Sequence, residues 1–165
     1  MCLTHDSALF ADALIDWSYT RRMPSDFALK SMNVIHRCLL KGSFGKVGWK
    51  AGSMPVLELT TTGRKSGQQH SVMLTSPLQE DSTIVIVASR GGDDQHPAWF
   101  LNLRDKPQVE VAFKGAPKKA MVASIASAEE RVRMWPIVTA KYKNYAAYQT
   151  KTEREIPLVL LKPAV

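Results

Sequence analysis

Between Ser7 and Tyr19 the apolar positions Leu9, Phe10, Ala13, Leu14 and Trp17 recur at spacings of three and four, which predicts one face of a helix. Pro24 breaks that rhythm. A second helical stretch opens at Ser25, a residue suited to an N-cap, and carries Phe27, Leu29, Met32, Ile35, Leu39 and Leu40 before Lys41 and Gly42 end it. Residues 42–52 follow as a basic connector of four glycines with Lys46, Lys50 and Trp49. After Gly52 the period becomes two. Met54–Thr62 and Gln68–Ser76 flank the turn cluster Gly63-Arg-Lys-Ser-Gly67, which predicts a hairpin. Ser82–Ser89 is continuously apolar and reads as a strand buried on both faces. Arg90–Gln95 is a loop, and His96–Asp105 reads as a helix with Pro97 in its first turn and Trp99, Phe100 and Leu103 spaced to pack. Val109–Lys114 and Lys118–Ile125 form a second hairpin. Ser127-Ala-Glu-Glu130 is a capping box that opens a helix running toward Tyr142, and Ile156–Leu161 supplies a last strand.

This order predicts an α+β chain: a small antiparallel barrel with flanking helices over residues 53–165, preceded by an N-terminal helical arm and connector over residues 1–52. Composition agrees with a globular chain of about one domain: 165 residues, 45% hydrophobic and 22% charged. The longest apolar runs fall far short of the roughly 20 residues that span a bilayer. The N-terminus lacks the basic start and apolar core of a secretory signal, so the chain reads as cytoplasmic. Cys2 and Cys38 make no disulfide framework and no paired-ligand spacing.

The formal net charge of +7 is unevenly spread. Residues 1–18 carry −3, residues 19–52 carry +6 and the remainder carries +4. Such a surplus attracts nucleic acid, anionic lipid or a phosphorylated cofactor alike. No nucleic-acid-binding motif accompanies it, which sets that class aside. An amphipathic arm beside a basic block does suit peripheral contact with an anionic membrane.

Several chemistries lack their motifs. There is no Gly-x-Ser-x-Gly elbow, His5, His36, His70 and His96 lie in no metal-ligand spacing, Val47 stands where a Walker loop needs Ser or Thr, and no Gly-x-Gly-x-x-Gly follows a strand. Three clusters remain. Thr60-Thr-Thr-Gly-Arg-Lys-Ser-Gly67 concentrates hydroxyls and two cations in one turn, suited to an anionic group, although a soluble hairpin tip looks the same. Ala88-Ser-Arg-Gly-Gly92 ends a buried strand just before a helix start, where anions and heterocycles are often held, although glycines also serve plain loops. Tyr142, Tyr145 and Tyr148, spaced by three on a helix, either cover a flat ligand or form an ordinary packing stripe.

Together, Met54-Pro-Val-Leu-Glu-Leu-Thr-Thr-Thr-Gly-Arg-Lys-Ser-Gly-Gln68, Val87-Ala-Ser-Arg-Gly-Gly92, His96-Pro-Ala-Trp-Phe-Leu-Asn-Leu103 and Tyr148-Gln-x-Lys-Thr-x-Arg-Glu-Ile-Pro157 make the chain resemble the deazaflavin-dependent nitroreductase family. The matches run through residues 31–163. Members are split β-barrel oxidoreductases, typical of actinobacteria, that bind coenzyme F420 and reduce quinones, nitroaromatics or similar electron-poor acceptors. The resemblance implies that Gly63, Arg64 and Lys65 meet the coenzyme's phosphate and oligoglutamate tail, and that Gln69, His70, Ser71, Val72, Met73 and Leu74 line the route to its ring. It brings Ser89, Arg90, Gly91 and Gly92 near the deazaflavin and Pro97, Ala98, Trp99 and Asn102 into the segment that closes over it. It makes Tyr142, Tyr145 and Tyr148 the wall for a small-molecule acceptor, with Tyr145 the catalytic candidate. Gln69-His70 replaces a Pro-Arg pair common in the family, so an imidazole stands in for a tail cation, while Arg90 restores a charge nearby. Two alternatives stand beside this reading: an FMN-dependent split-barrel enzyme, and a non-catalytic module holding a lipid or fatty acid at a membrane surface.

Overall fold

The computed structural model describes residues 50–51, 54–113 and 116–164. The two helical stretches expected over residues 7–41, and with them most of the arm proposed for membrane contact, lie outside the described residues. The end of the expected connector lies inside them: Lys50–Ala51 is a short strand, β1, paired antiparallel with the start of β2 (Met54–Thr62).

The turn cluster joins β2 to β3 (Gln69–Thr75), giving the hairpin that the alternation predicts. β4 (Leu78–Glu80) is an addition that three residues are too few to announce, and it folds back on β5 (Thr83–Val87). Helix α1 (Ala98–Asp105) follows. Pro97 serves as its cap, with extended ψ of 146°, and its carbonyl accepts from the amides of Phe100 and Leu101. The second hairpin is β6 (Gln108–Phe113) and β7 (Lys119–Ile125). Ser127 caps α2 (Ala128–Lys141) in the expected box: its Oγ accepts from the Glu130 amide at 3.2 Å and its own amide donates to Glu130 Oε2 at 2.8 Å. Tyr142, with φ −132° and ψ 87°, breaks the helix before α3 (Lys143–Gln149). The three tyrosines are therefore not one continuous helical stripe: Tyr142 sits at the break and only Tyr145 and Tyr148 lie on α3. β8 (Leu158–Pro163) starts two residues later than the apolar run suggests.

The strands form one antiparallel sheet in the order β3-β2-β6-β7-β8-β5-β4, with β1 also on β2. The sheet curls until β3 lies against β5 without a ladder between them, and this is the split of the barrel. Alternation divides the apolar residues between two cores. Leu57 and Leu59 of β2, Val109 and Val111 of β6, Met121 and Ala123 of β7, Ile86 of β5, and Val159 and Leu161 of β8 fill the barrel, which α1 plugs with Trp99, Phe100 and Leu103. On the outer face of β5 and β8, Val85, Val87, Leu158 and Leu160 pack under Met134, Val138, Tyr142 and Tyr145 of the helices. β5 is thus buried on both faces, as its unbroken apolar run predicts. The architecture is an α+β split antiparallel barrel with flanking helices.

Candidate active site

The turn between β2 and β3 is closed by its own backbone. The Gly63 amide donates to the Gln68 carbonyl at 2.7 Å and the Gly67 amide to the Gly63 carbonyl at 2.8 Å. Gly67 has φ 69°, and a Cβ at Gly63 would lie 2.5 Å from Ser66 Oγ, so the Ser66 and His70 side chains would have to turn aside for it. The turn leaves Arg64, Lys65, Gln69 and His70 exposed. It is also pinned from the side. Asn102 of α1, 7% exposed, accepts through Oδ1 from the Arg64 amide at 3.2 Å and from Arg64 Nη1 at 3.4 Å, and donates through Nδ2 to Thr61 Oγ1 at 3.3 Å. One amide side chain therefore sets both the turn and the position of a cation.

Strand alternation separates the β3 candidates. His70, Val72 and Leu74 stand opposite Thr61, Leu59 and Leu57, and Val72 and Leu74 pack on the barrel core. Gln69, Ser71 and Met73 point to the other face, as does Thr75. On that face Ser71 Oγ lies 2.9 Å from Thr60 Oγ1, which also accepts from Lys118 Nζ at 2.8 Å. Lys118 is a cation that sequence spacing does not single out, since it arrives from 58 residues away. Thr75 meets Tyr145: the two hydroxyls are 2.8 Å apart. The Tyr145 hydroxyl also lies 3.8 Å from Met54 Sδ. Burial pushes the Tyr145 phenol above its usual pKa, against the lowering effect of the Thr75 bond, so it stays protonated at neutral pH. Its ring meets Tyr148 edge to face with centroids 6.0 Å apart. Tyr142 is buried as well, and its hydroxyl has no hydrogen-bond partner.

The loop after β5 forms a further wall. Ser89 is buried, and Arg90, Gly91 and Gly92 take φ values of 50°, 72° and 88°. Arg90 is paired through Nε with Asp93 at 3.5 Å and through Nη1 with Gln95 at 3.3 Å. Gly92 abuts α3 so closely that a Cβ would lie 2.6 Å from the Tyr148 carbonyl oxygen. Pro97 and Trp99 are buried at the start of α1, while Ala98 is exposed. His96 packs on Phe100 with ring centroids 4.7 Å apart and faces Arg154 Nη1 at 3.4 Å. Burial first, then the positive charges of Arg154 and Arg104, hold its imidazole below the ordinary histidine pKa.

The candidates thus join in a closed circuit of contacts. It passes from the cationic turn through Asn102 to α1, through His96 and Arg154 to the Ser89–Gly92 loop, through Gly92 to Tyr148 and Tyr145, and through Thr75 back to β3. Arg154 and Thr75 complete it without having been singled out by spacing, although Arg154 stands in the last of the quoted motifs, and Lys118 stands beside it on Thr60. Among the described residues no group of His, Cys, Asp and Glu is placed to hold a metal ion. Nor is any helix among them long and apolar enough to cross a membrane.

The chain is thus a split barrel with a cationic turn at one end of β3 and buried tyrosines at the other, and sequence similarity narrows that class. The chain matches the family described as F420H(2)-dependent quinone reductase over residues 34–163. An F420H(2)-dependent quinone reductase of Mycobacterium tuberculosis is 35% identical over 131 residues, covering 77% of this chain and 87% of that protein. A solved structure of an F420-H2 dependent reductase is 37% identical, with a TM-score of 0.57 over 66% of this chain and 94% of its own. A second solved structure, described only as a domain-swapped dimer, is 34% identical, with a TM-score of 0.59 over 84% of this chain and 99% of its own. The chain belongs to the F420H(2)-dependent quinone reductase family.

Proposed function

We propose that this protein is an oxidoreductase that uses reduced coenzyme F420 to reduce a quinone. The observation that carries the reading is the contact circuit, which links an exposed Arg64-Lys65 turn at one end of β3 to a wall of tyrosines at the other. The residues present fit the coenzyme. Its phosphate and oligoglutamate tail is anionic, and the exposed cations of the turn stand on a backbone fixed by Asn102. Gly92 packs the loop against α3, and Gly91 leaves the space beside it free of side-chain bulk, which suits a flat ring.

When bound, reduced coenzyme F420 supplies the hydride. The chain's own residues do the rest. Arg64 and Lys65 hold the tail, Ser71 and Met73 present the outer face of β3, and Ser89 to Gly92 with Pro97 to Asn102 enclose the ring. Tyr145 keeps its proton at neutral pH and delivers it from Oη to the quinone oxygen that gains charge, with Thr75 fixing the hydroxyl's direction. Tyr142 and Tyr148 flank the acceptor. The FMN-dependent and lipid-holding alternatives draw no support from the relatives named above.

A fluorescence titration comparing coenzyme F420 with FMN, followed by quinone reduction by the loaded protein, tests this reading. Binding of FMN in preference to F420 would overturn it. The basic block of residues 19–52 extends the proposal to peripheral contact with an anionic bilayer, in which apolar quinones partition. Co-sedimentation with anionic but not neutral vesicles is the expected result there.

A further inference from the structure

Arg154 lies between α3 and β8, yet its side chain reaches across to the loop that follows β5. Nε donates to the Asp93 carbonyl at 2.7 Å, Nη2 to the carbonyls of Ala88 at 3.2 Å and Ser89 at 2.9 Å, and Nη1 faces His96 Nδ1 at 3.4 Å. A guanidinium is donor-only and stays protonated in proteins. His96 Nδ1 must therefore accept, which leaves the proton of the neutral imidazole on Nε2.

The three carbonyls bracket a run of left-handed backbone at Arg90, Gly91 and Gly92. That conformation is unfavourable for a residue with a Cβ, so Arg90 keeps it only where the surroundings impose it. Arg154 brackets it from a firm base. Its amide donates to Thr152 Oγ1 at 3.3 Å, and its carbonyl accepts from Gln149 Nε2 at 2.8 Å. Gln149 Oε1 in turn accepts from the Ile156 amide at 3.0 Å and from Arg131 Nη2 at 3.3 Å, and Thr152 Oγ1 donates to Asp94 Oδ1 at 2.7 Å. A lysine cannot replace this arrangement, because an ammonium lacks the planar fork that reaches four separate acceptors.

We propose that Arg154 is a positioning residue of the coenzyme site: its side chain sets the backbone course of Ala88–Asp93 and the tautomer of His96. The proposal rests on the functional reading above, since it assigns that loop to the coenzyme.

The test compares the full-length chain with Arg154→Lys and Arg154→Met in three measurements: fluorescence titration with coenzyme F420, 15N spectra of the His96 ring and the Ser89–Gly92 amides, and the thermal midpoint. Arg154→Lys keeps a midpoint near that of the parent, weakens coenzyme binding about tenfold, shifts the loop amides and mixes the His96 tautomers. Arg154→Met does the same more strongly where it folds. Parental affinity together with parental His96 and loop signals in Arg154→Lys overturns the assignment. So does a loss of affinity that comes with a matching fall in midpoint and shifts spread over the whole spectrum, because that marks a general scaffold role. If the parent chain itself does not bind coenzyme F420, the functional reading fails, and the His96 tautomer and loop amides of the unliganded chain still decide what Arg154 does.

Discussion

Tyr145 and Thr75 stand 70 residues apart in sequence and meet hydroxyl to hydroxyl at 2.8 Å, joining α3 to the end of β3. The bond does two things. It ties the helical cover to the strand that carries the cationic turn, and it fixes the direction of a phenol that burial keeps protonated.

Removing the hydroxyl while keeping the ring separates those roles. Tyr145→Phe is expected to lower quinone turnover while coenzyme affinity stays within about twofold, at a stability cost of about 1 kcal/mol. Thr75→Val should reproduce part of the loss in turnover by misdirecting the phenol, and the double variant should fall short of the sum. Steady-state rates in Tyr145→Phe equal to those of the parent would remove Tyr145 from the chemistry.

Arg64 and Lys65 are exposed, so their attraction for an anionic tail passes through solvent and is screened by salt. Arg64→Ala with Lys65→Ala is expected to weaken F420 binding about tenfold at low ionic strength, with the gap to the parent narrowing as salt is added. A titration series across salt concentrations in which the two proteins coincide throughout would reject the tail assignment.

Asn102 is buried with its amide held between Thr61 and Arg64. Asn102→Ala leaves the Arg64 amide and the Thr61 hydroxyl without that partner and is expected to cost about 1–3 kcal/mol in denaturant unfolding. Hydrogen exchange at the Arg64 amide should rise by more than exchange in β7.

His96 provides a pH dependence with a definite sign. Its imidazole is held below the ordinary value by burial and by Arg154 and Arg104, so the unfolded chain takes up the proton at a higher pH than the folded one. Its contribution therefore begins to destabilise the fold as pH falls through about 6.5 and reaches its full size below the folded pKa. Thermal midpoints measured from pH 8 to pH 5 should show a decline that His96→Gln makes shallower. A slope unchanged by that substitution would remove His96 as its source.

Gly92 combines a φ of 88° with a Cβ position 2.6 Å from the Tyr148 carbonyl oxygen. Gly92→Ala is expected to cost about 2 kcal/mol or more and to push the loop away from α3. Gly91, at φ 72° but with open space around it, should cost less on the same change, and chemical denaturation of the pair measures the difference.

The barrel was legible because its strands obey simple patterns. Leu57, Leu59 and Thr61 alternate with Glu58 and Thr60 of the opposite face, Val85 to Val87 run apolar because two cores share β5, and Ser127 with Glu130 announces α2. β4 was not legible, since a three-residue strand leaves no period to read. The break at Tyr142 was hidden for another reason: spacing by three describes both an unbroken helix and two helices meeting at an extended residue. The site shows the same divide. Its turn and glycine loop are local and stand out in sequence, whereas Thr75, Lys118 and Arg154 act through partners 70, 58 and up to 66 residues away. Nor does a contiguous stretch such as Gln69–Leu74 reveal that alternate side chains leave on opposite faces until its pairing with β2 is known.

β8 is the last strand in chain order but lies in the middle of the sheet, between β7 and β5. Leu158 and Leu160 belong to one core, Val159 and Leu161 to the other. As the chain leaves the ribosome, β5 and β7 wait without a common partner until residues 158–163 emerge, and neither core has its shared wall before then. The two hairpins can form during synthesis, but the barrel is joined only when β8 emerges. The nascent protein thus exposes two unpaired strand edges from the completion of β7 until β8 emerges, and its demand for chaperone protection is greatest over that interval.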